Sequence, residues 1–191
     1  LEDDTLEHGP LEALFTATEE TGMAGAFGLK KGLLKGDILL NLDSETEGEL
    51  YVGCAGGLDA NIRFRSVPEP TPARNYTAAT VAVKGLKGGH SGIQIVCQRA
   101  NANKVFRLLR RWTAAHDLLL CSVDGGGLRN AIPREATAMV LVRSKEFEAF
   151  RKEVRAFEKL MRAEFAGVEE GISIKAEACE RPAEMISREV Q

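Results

Sequence analysis

Three carboxylates near the start of the chain and one histidine in a glycine-rich loop are the residues best suited to chemistry. Glu19 and Glu20 adjoin in Thr18-Glu19-Glu20-Thr21-Gly22, and Asp43 lies in Asn41-Leu42-Asp43-Ser44-Glu45. Carboxylates gathered together repel one another, so at neutral pH such a group keeps a proton or is neutralised by a cation. A metal site meets that requirement economically. A solvated acidic turn meets it too, because most carboxylates are exposed, and the residues alone leave both readings open. His90 lies in Lys84-Gly85-Leu86-Lys87-Gly88-Gly89-His90-Ser91-Gly92, where four glycines fall across eight positions. Such backbone turns sharply and lets a ligand approach closely, yet the loop has neither the Gly-x-x-x-x-Gly-Lys-Ser/Thr nor the Gly-x-Gly-x-x-Gly spacing of a phosphate cradle. A lone loop histidine also fits an ordinary surface role. Asn130 belongs to Leu128-Arg129-Asn130-Ala131-Ile132-Pro133, which by itself reads as a turn.

The acids need elements to position them. Residues 11–18 are short, β-compatible and bounded by Pro10 and Gly22, and residues 37–42 are a compact apolar run; both predict strands. Residues 23–31 between them have the content of a short crossover helix. In a β-α-β unit the ligand crevice lies outside the carboxyl ends of the strands, so Glu19, Glu20 and Asp43 are expected to converge there.

Residues 49–55 and 58–64 read as two further strands joined by a Gly56-Gly57 turn, with Ile62 and Phe64 on one face. Val67-Pro68-Glu69-Pro70-Thr71-Pro72 then interrupts the pattern, since prolines at alternate positions cannot sit inside a sheet. The expected organisation is a domain fragment over 1–66, a proline-rich linker over 67–75 and a second domain over 76–191. Residues 76–83, 118–123, 136–142 and 172–178 predict strands, 101–116 and 145–165 amphipathic helices. Phe147, Phe150, Val154, Phe157, Met161 and Phe165 form the apolar stripe of the longer helix. The order β-α-β-β-α-β is the ferredoxin-like arrangement. The fold class expected is therefore an α/β fragment followed by an α+β ferredoxin-like domain.

Composition narrows the functional classes. The 191 residues are 44% hydrophobic and 28% charged, with a formal net charge of -3, which gives no global electrostatic case for nucleic acid or membrane surfaces. Arg107, Arg110 and Arg111 read as the wet face of a helix. No run of about 18 apolar residues is present to span a bilayer. Cys54, Cys97, Cys121 and Cys179 form no C-x-x-C pair, and reduced thiols in a cytoplasmic protein fit them best. His8 and His116 need no more than helix-end or surface roles. A chain opening at Leu1-Glu2-Asp3-Asp4, without methionine, is expected to be a piece of something longer.

Phe15-Thr16-Ala17-Thr18-Glu19-Glu20-Thr21-Gly22, Asn41-Leu42-Asp43-Ser44-Glu45-Thr46-Glu47-Gly48-Glu49, Gly53-Cys54-Ala55-Gly56-Gly57 and the His90 loop together resemble the aminoacyl-histidine dipeptidases. These are bacterial, carnosinase-like members of the aminoacylase and carboxypeptidase superfamily of di-zinc peptidases. The resemblance runs in order through nearly the whole chain. It implies a catalytic-domain fragment followed by a lid, dipeptide hydrolysis by water shared between two zinc ions, and a homodimer formed through the lid. It assigns Glu19 as general base and Glu20 and Asp43 as ligands, one to each metal. His90 would cross to the partner's active site and polarise the scissile carbonyl. Asn130, before Ile-Pro, would bind substrate, and Arg143 would hold its terminal carboxylate. Manganese or cobalt would also suit carboxylate and imidazole donors.

The resemblance further implies that a His-x-Asp ligand pair and a bridging aspartate lie upstream of these residues and another histidine ligand downstream. The expectation is an internal portion of a dipeptidase, silent by itself. A lid-type dimerisation module without chemistry and a non-catalytic peptide-binding relative are the competing readings.

Overall fold

The computed structural model describes residues 5–44, 46–54, 56, 58 and 60–191. Residues 1–4, Glu45, Ala55, Gly57 and Asp59 lie outside the described residues, and with them part of the quoted motifs and of the turn expected at Gly56-Gly57. The chain divides into two units, Leu1–Asn61 and Ile62–Gln191.

The first unit departs from expectation. Among its described residues the regular structure is α1 (Ala24–Phe27), four residues long, where a helix over 23–31 was expected. Neither 11–18 nor 37–42 forms a strand, so the expected β-α-β unit is not built; the described residues of 49–55 and 58–64 form none either. The reason is physical. Such strands need neighbours to bond their backbone groups and to cover both faces, whereas Leu39, Leu40 and Leu42 are 78%, 75% and 90% exposed. Turns hold the segment together instead: the Glu12 carboxylate accepts from Lys35 N and Gly36 N, each at 2.7 Å.

The second unit follows its periodicity. In chain order it contains β1 (Glu69–Pro70), β2 (Tyr76–Lys84), β3 (Gly89–His90), α2 (Ala102–Trp112), β4 (Leu119–Gly125), β5 (Ala131–Ile132), β6 (Ala136–Arg143), α3 (Phe147–Glu164), β7 (Ser173–Ala178) and β8 (Glu184–Met185). A four-stranded sheet runs β4-β6-β2-β7, antiparallel throughout. Alternation in β2 sends Ala79, Val81 and Val83 to the helical face and Tyr76 and Ala78 to the other. On the helical face α2 contributes Ala102, Val105 and Leu109, and α3 contributes Phe150, Val154, Phe157 and Met161. Burial of each large apolar side chain there stabilises by about 1.5–3 kcal/mol.

Asn101 starts α2 by accepting from Asn103 N at 3.0 Å and Lys104 N at 3.2 Å, satisfying donors that the first turn leaves free. Arg107, Arg110 and Arg111 are exposed, as a wet helix face requires. Trp112, at the end of α2, is 47% exposed, its ring tilted against Phe157 with centres 5.9 Å apart.

On the other face of the sheet, Tyr76, Ala78, Leu119 and Leu141 pack with Met185 of β8. The proline-rich stretch enters a sheet only as a two-residue edge: β1 pairs with β8, Pro70 opposite Glu184. Proline is accepted there because an edge strand has a side that needs no donor. Arg181 secures this corner by donating to Pro72 O at 2.7 Å and to Tyr76 O. Among the described residues no helix is long and apolar enough to cross a membrane.

Candidate functional site

The glycine-rich loop leaves β2 and is tied down residue by residue. Gly85 holds φ at +78° with its α-carbon so close to Gly171 that a side chain would strike the Gly171 carbonyl. Lys87 N donates to Glu169 Oε2 at 2.8 Å, Arg99 Nη1 donates to Gly88 O at 2.6 Å, and His90 N donates to Gln94 Oε1 at 2.8 Å. β3 then pairs with β5, Gly89 opposite Ile132 and His90 opposite Ala131. Ser91 N donates to Asn130 O at 2.8 Å. His90 and Asn130, forty positions apart in number, are thus carried by adjoining backbone.

The His90 ring is exposed, but it is held. Its Nδ1 accepts from Gly92 N at 3.1 Å and Ile93 N at 3.3 Å. A nitrogen that accepts carries no proton, so the neutral ring has its proton on Nε2 and offers that N–H as a donor. Beside the loop lies a cleft of about 760 Å³ lined by Ser91, Arg99, Asn101, Asn103, Gly126 and Pro133 among others. Polar and apolar groups converge there, which suits a small polar ligand.

Arg143 lies elsewhere. It ends β6, and Ala136 at the other end is seven residues away, roughly 23 Å along an extended strand. Its Nε and Nη2 both donate to Asp117 Oδ2 at 2.9 Å, and its guanidinium sits 4.4 Å from the centre of the Tyr76 ring. The Tyr76 hydroxyl donates to the same oxygen at 2.9 Å. Burial, followed by this bond and the charge on Asp117, pushes the phenol above its ordinary value.

In the first unit, Glu19 and Glu20 occupy an exposed turn closed by Met23 N donating to Thr18 O at 2.7 Å. Asp43 is also exposed, its N–H donating to Asn41 Oδ1 at 3.0 Å. Among the described residues no three His, Cys, Asp or Glu side chains are gathered so as to hold a metal ion. Glu20 and Asp43 therefore do not by themselves fit a two-metal centre, which needs about three protein donors at each catalytic ion.

Residues 81–169 match the model of a peptidase dimerisation domain, of the M20 type. The chain is 44% identical over 178 residues to the cytosol non-specific dipeptidase of Escherichia coli (strain K12), a match covering 91% of this chain. It superposes on the crystal structure of aminoacylhistidine dipeptidase from Vibrio alginolyticus with a TM-score of 0.70 and 38% identity, again over 91% of this chain. The chain is similar to these dipeptidases over nearly its own whole length. It spans 36% of the length of the Escherichia coli relative and 35% of the Vibrio chain. The M20 dimerisation segment takes in the His90 loop, Asn130, Arg143 and Glu169; Glu19, Glu20 and Asp43 precede it.

Sequence reasoning missed the surroundings of two residues, Glu169 beside the His90 loop and His116 away from it. Glu169 stands in an acid pair, Glu169-Glu170, that looks like a helix-end solvation patch, yet its side chain is only 2% exposed. His116, expected at a helix end or the surface, is largely buried edge-on against Phe150, with Glu146 at 3.4 Å and Glu153 at 3.1 Å. No local signal announced either; both depend on contacts distant in sequence.

Proposed function

We propose that this chain is the lid-bearing part of a metal-dependent dipeptidase of the aminoacyl-histidine type, acting as a cytoplasmic homodimer. The observation that carries the reading is the joining of the His90 and Asn130 segments by β3–β5 pairing and the Ser91–Asn130 bond, within a chain 44% identical to a dipeptidase. The element order and the β4-β6-β2-β7 sheet support a ferredoxin-like lid. Exposed Leu39, Leu40 and Leu42 suit a catalytic-domain fragment whose covering elements belong to the remaining two thirds of its relatives' length.

In the parent enzyme His90, supplied by the partner subunit, donates from Nε2 to the substrate carbonyl oxygen as negative charge develops on it. Asn130 orients the dipeptide through its amide, and Arg143 is the candidate for its terminal carboxylate. Glu19 is the general base, and Glu20 and Asp43 would each contribute a carboxylate to a divalent metal, zinc in the first instance, with further donors from outside this chain. The described donors of this chain do not by themselves complete that centre.

The test is dipeptide hydrolysis by the longer parent polypeptide. Glu19→Gln is expected to abolish turnover while bound metal, counted by elemental analysis, stays at the unsubstituted level. Turnover retained by that variant sinks the assignment of the base.

A further inference from the structure

We propose that Glu169 is the positioning residue that sets the His90 loop, an inference that rests on reading His90 as the group that meets the substrate. Its carboxylate is 2% exposed. Burying a carboxylate is costly unless its oxygens are well bonded, and here each oxygen has a backbone partner: Lys87 N at 2.8 Å on Oε2 and Ala100 N at 3.0 Å on Oε1.

Those two amides bracket the excursion that carries the histidine. Residues 88–99 leave one carboxylate oxygen and return to the other. Inside that span the side-chain ties are local: Arg99 to Gly88, His90 to Gln94, and Gly92 and Ile93 to the imidazole. Its backbone reaches out to the Asn130 segment through β3–β5 pairing and the Ser91–Asn130 bond. The span is therefore a small bonded body whose two ends are clamped by Glu169. Charge-assisted bonds of this kind are about twice as strong as neutral ones. The close backbone crossing of Gly85 and Gly171 brings the turn bearing Glu169 against the base of the loop. Leu86, 0% exposed, anchors the start of the loop in the core of the helical face. Releasing either amide loosens one end of the span, leaves β3–β5 pairing and the Ser91–Asn130 bond as its remaining anchors, and weakens the hold of Gly92 and Ile93 on the ring.

The experiment is amide hydrogen exchange by NMR on the full 191-residue chain, comparing unsubstituted protein with Glu169→Gln. The glutamine keeps the volume and one acceptor but loses the charge. Exchange at His90, Ser91, Gly92 and Ile93 is expected to accelerate by roughly ten-fold or more, while Val81 and Val140 in the sheet change by less than about two-fold. The His90 imidazole nitrogen signals should move toward those of free histidine at the same time. Loop exchange that stays at the native rate overturns the proposal. So does acceleration equal in loop and sheet, which marks a general loss of stability. Should the variant not fold, the scalar coupling across the hydrogen bond from the Lys87 amide nitrogen to the Glu169 carboxyl carbon is read in the unsubstituted chain. Its presence supports the clamp, and its absence overturns it. None of these readouts involves hydrolysis, so failure of the dipeptidase reading leaves them interpretable.

Discussion

The Arg143 guanidinium and the Asp117 carboxylate meet through two nitrogens at 2.9 Å, and Tyr76 closes the triangle from its hydroxyl to the same oxygen. Arg143 and Asp117 are 40% and 54% exposed, so solvent screens the pair and its contribution to stability is at most about 1 kcal/mol. Asp117→Asn should lower the urea midpoint only slightly. The same substitution should bring the Tyr76 titration, followed by phenolate absorbance, down toward the ordinary value of about 10. In the unsubstituted chain the raised phenol binds its proton more tightly folded than unfolded. That stability is fully present below about pH 10 and is lost as pH rises through the folded value. An alkaline stability curve unchanged by Asp117→Asn would count against this coupling.

Cys121 offers a second pH-dependent test. Burial, with a smaller contribution from Cys179, raises its thiol above the ordinary value, and the thiolate is the reactive form. Cys97 is exposed. Iodoacetamide at pH 8 should label Cys97 well before Cys121, with the sites separated by peptide mass mapping. Equal rates would show that the sheet face around Leu119 and Met185 is open.

Asn101 caps α2 with two backbone bonds, so Asn101→Ala should cost about 1 kcal/mol by equilibrium urea unfolding. Asn101→Asp, which keeps an accepting oxygen, should recover most of that loss. A null effect of alanine would mean that packing of Val105 and Leu109 alone sets the helix start.

How far the sequence reaches depends on how local the cause is. β2, β6, α2 and α3 were legible because period-two and helical spacings describe which face of each is buried, and the Tyr76–Lys84 and Phe147–Glu164 segments carry those spacings themselves. The strands expected at 11–18 and 37–42 were not formed, because a central strand is decided by neighbours and not by its own apolar content. Among candidate site residues, the His90 loop announced itself through its glycines. Glu169 did not, since its two partners lie 82 and 69 positions away. The engagement of Arg143 by Asp117 spans 26 positions and was equally invisible.

Glu20 and Asp43 bear on metal binding by this chain alone. Two exposed carboxylates make a weak zinc site, since catalytic zinc normally takes three protein donors. After zinc loading and desalting, elemental analysis should find little metal retained on the 191-residue chain. About two ions per chain, lost in Glu20→Ala/Asp43→Ala, would mean that a site assembles from other residues.

Subunit crossing by His90 can be separated from service within one subunit by mixing inactive parents. Under the proposed reading, His90→Ala in the longer polypeptide should cost about 10²–10³-fold in kcat, the scale for loss of one donor to a developing oxyanion. Glu19→Gln should also be inactive. When the two variants are mixed and allowed to exchange subunits, half of a random population of two-fold dimers is mixed. Each mixed dimer then joins an intact Glu19 in one subunit to an intact His90 from the other, giving one complete site. Recovery of roughly a quarter of native turnover is expected. If His90 served its own subunit, the first chain would lack its histidine and the second its base. Every site in the mixture would then be defective, and no activity would return.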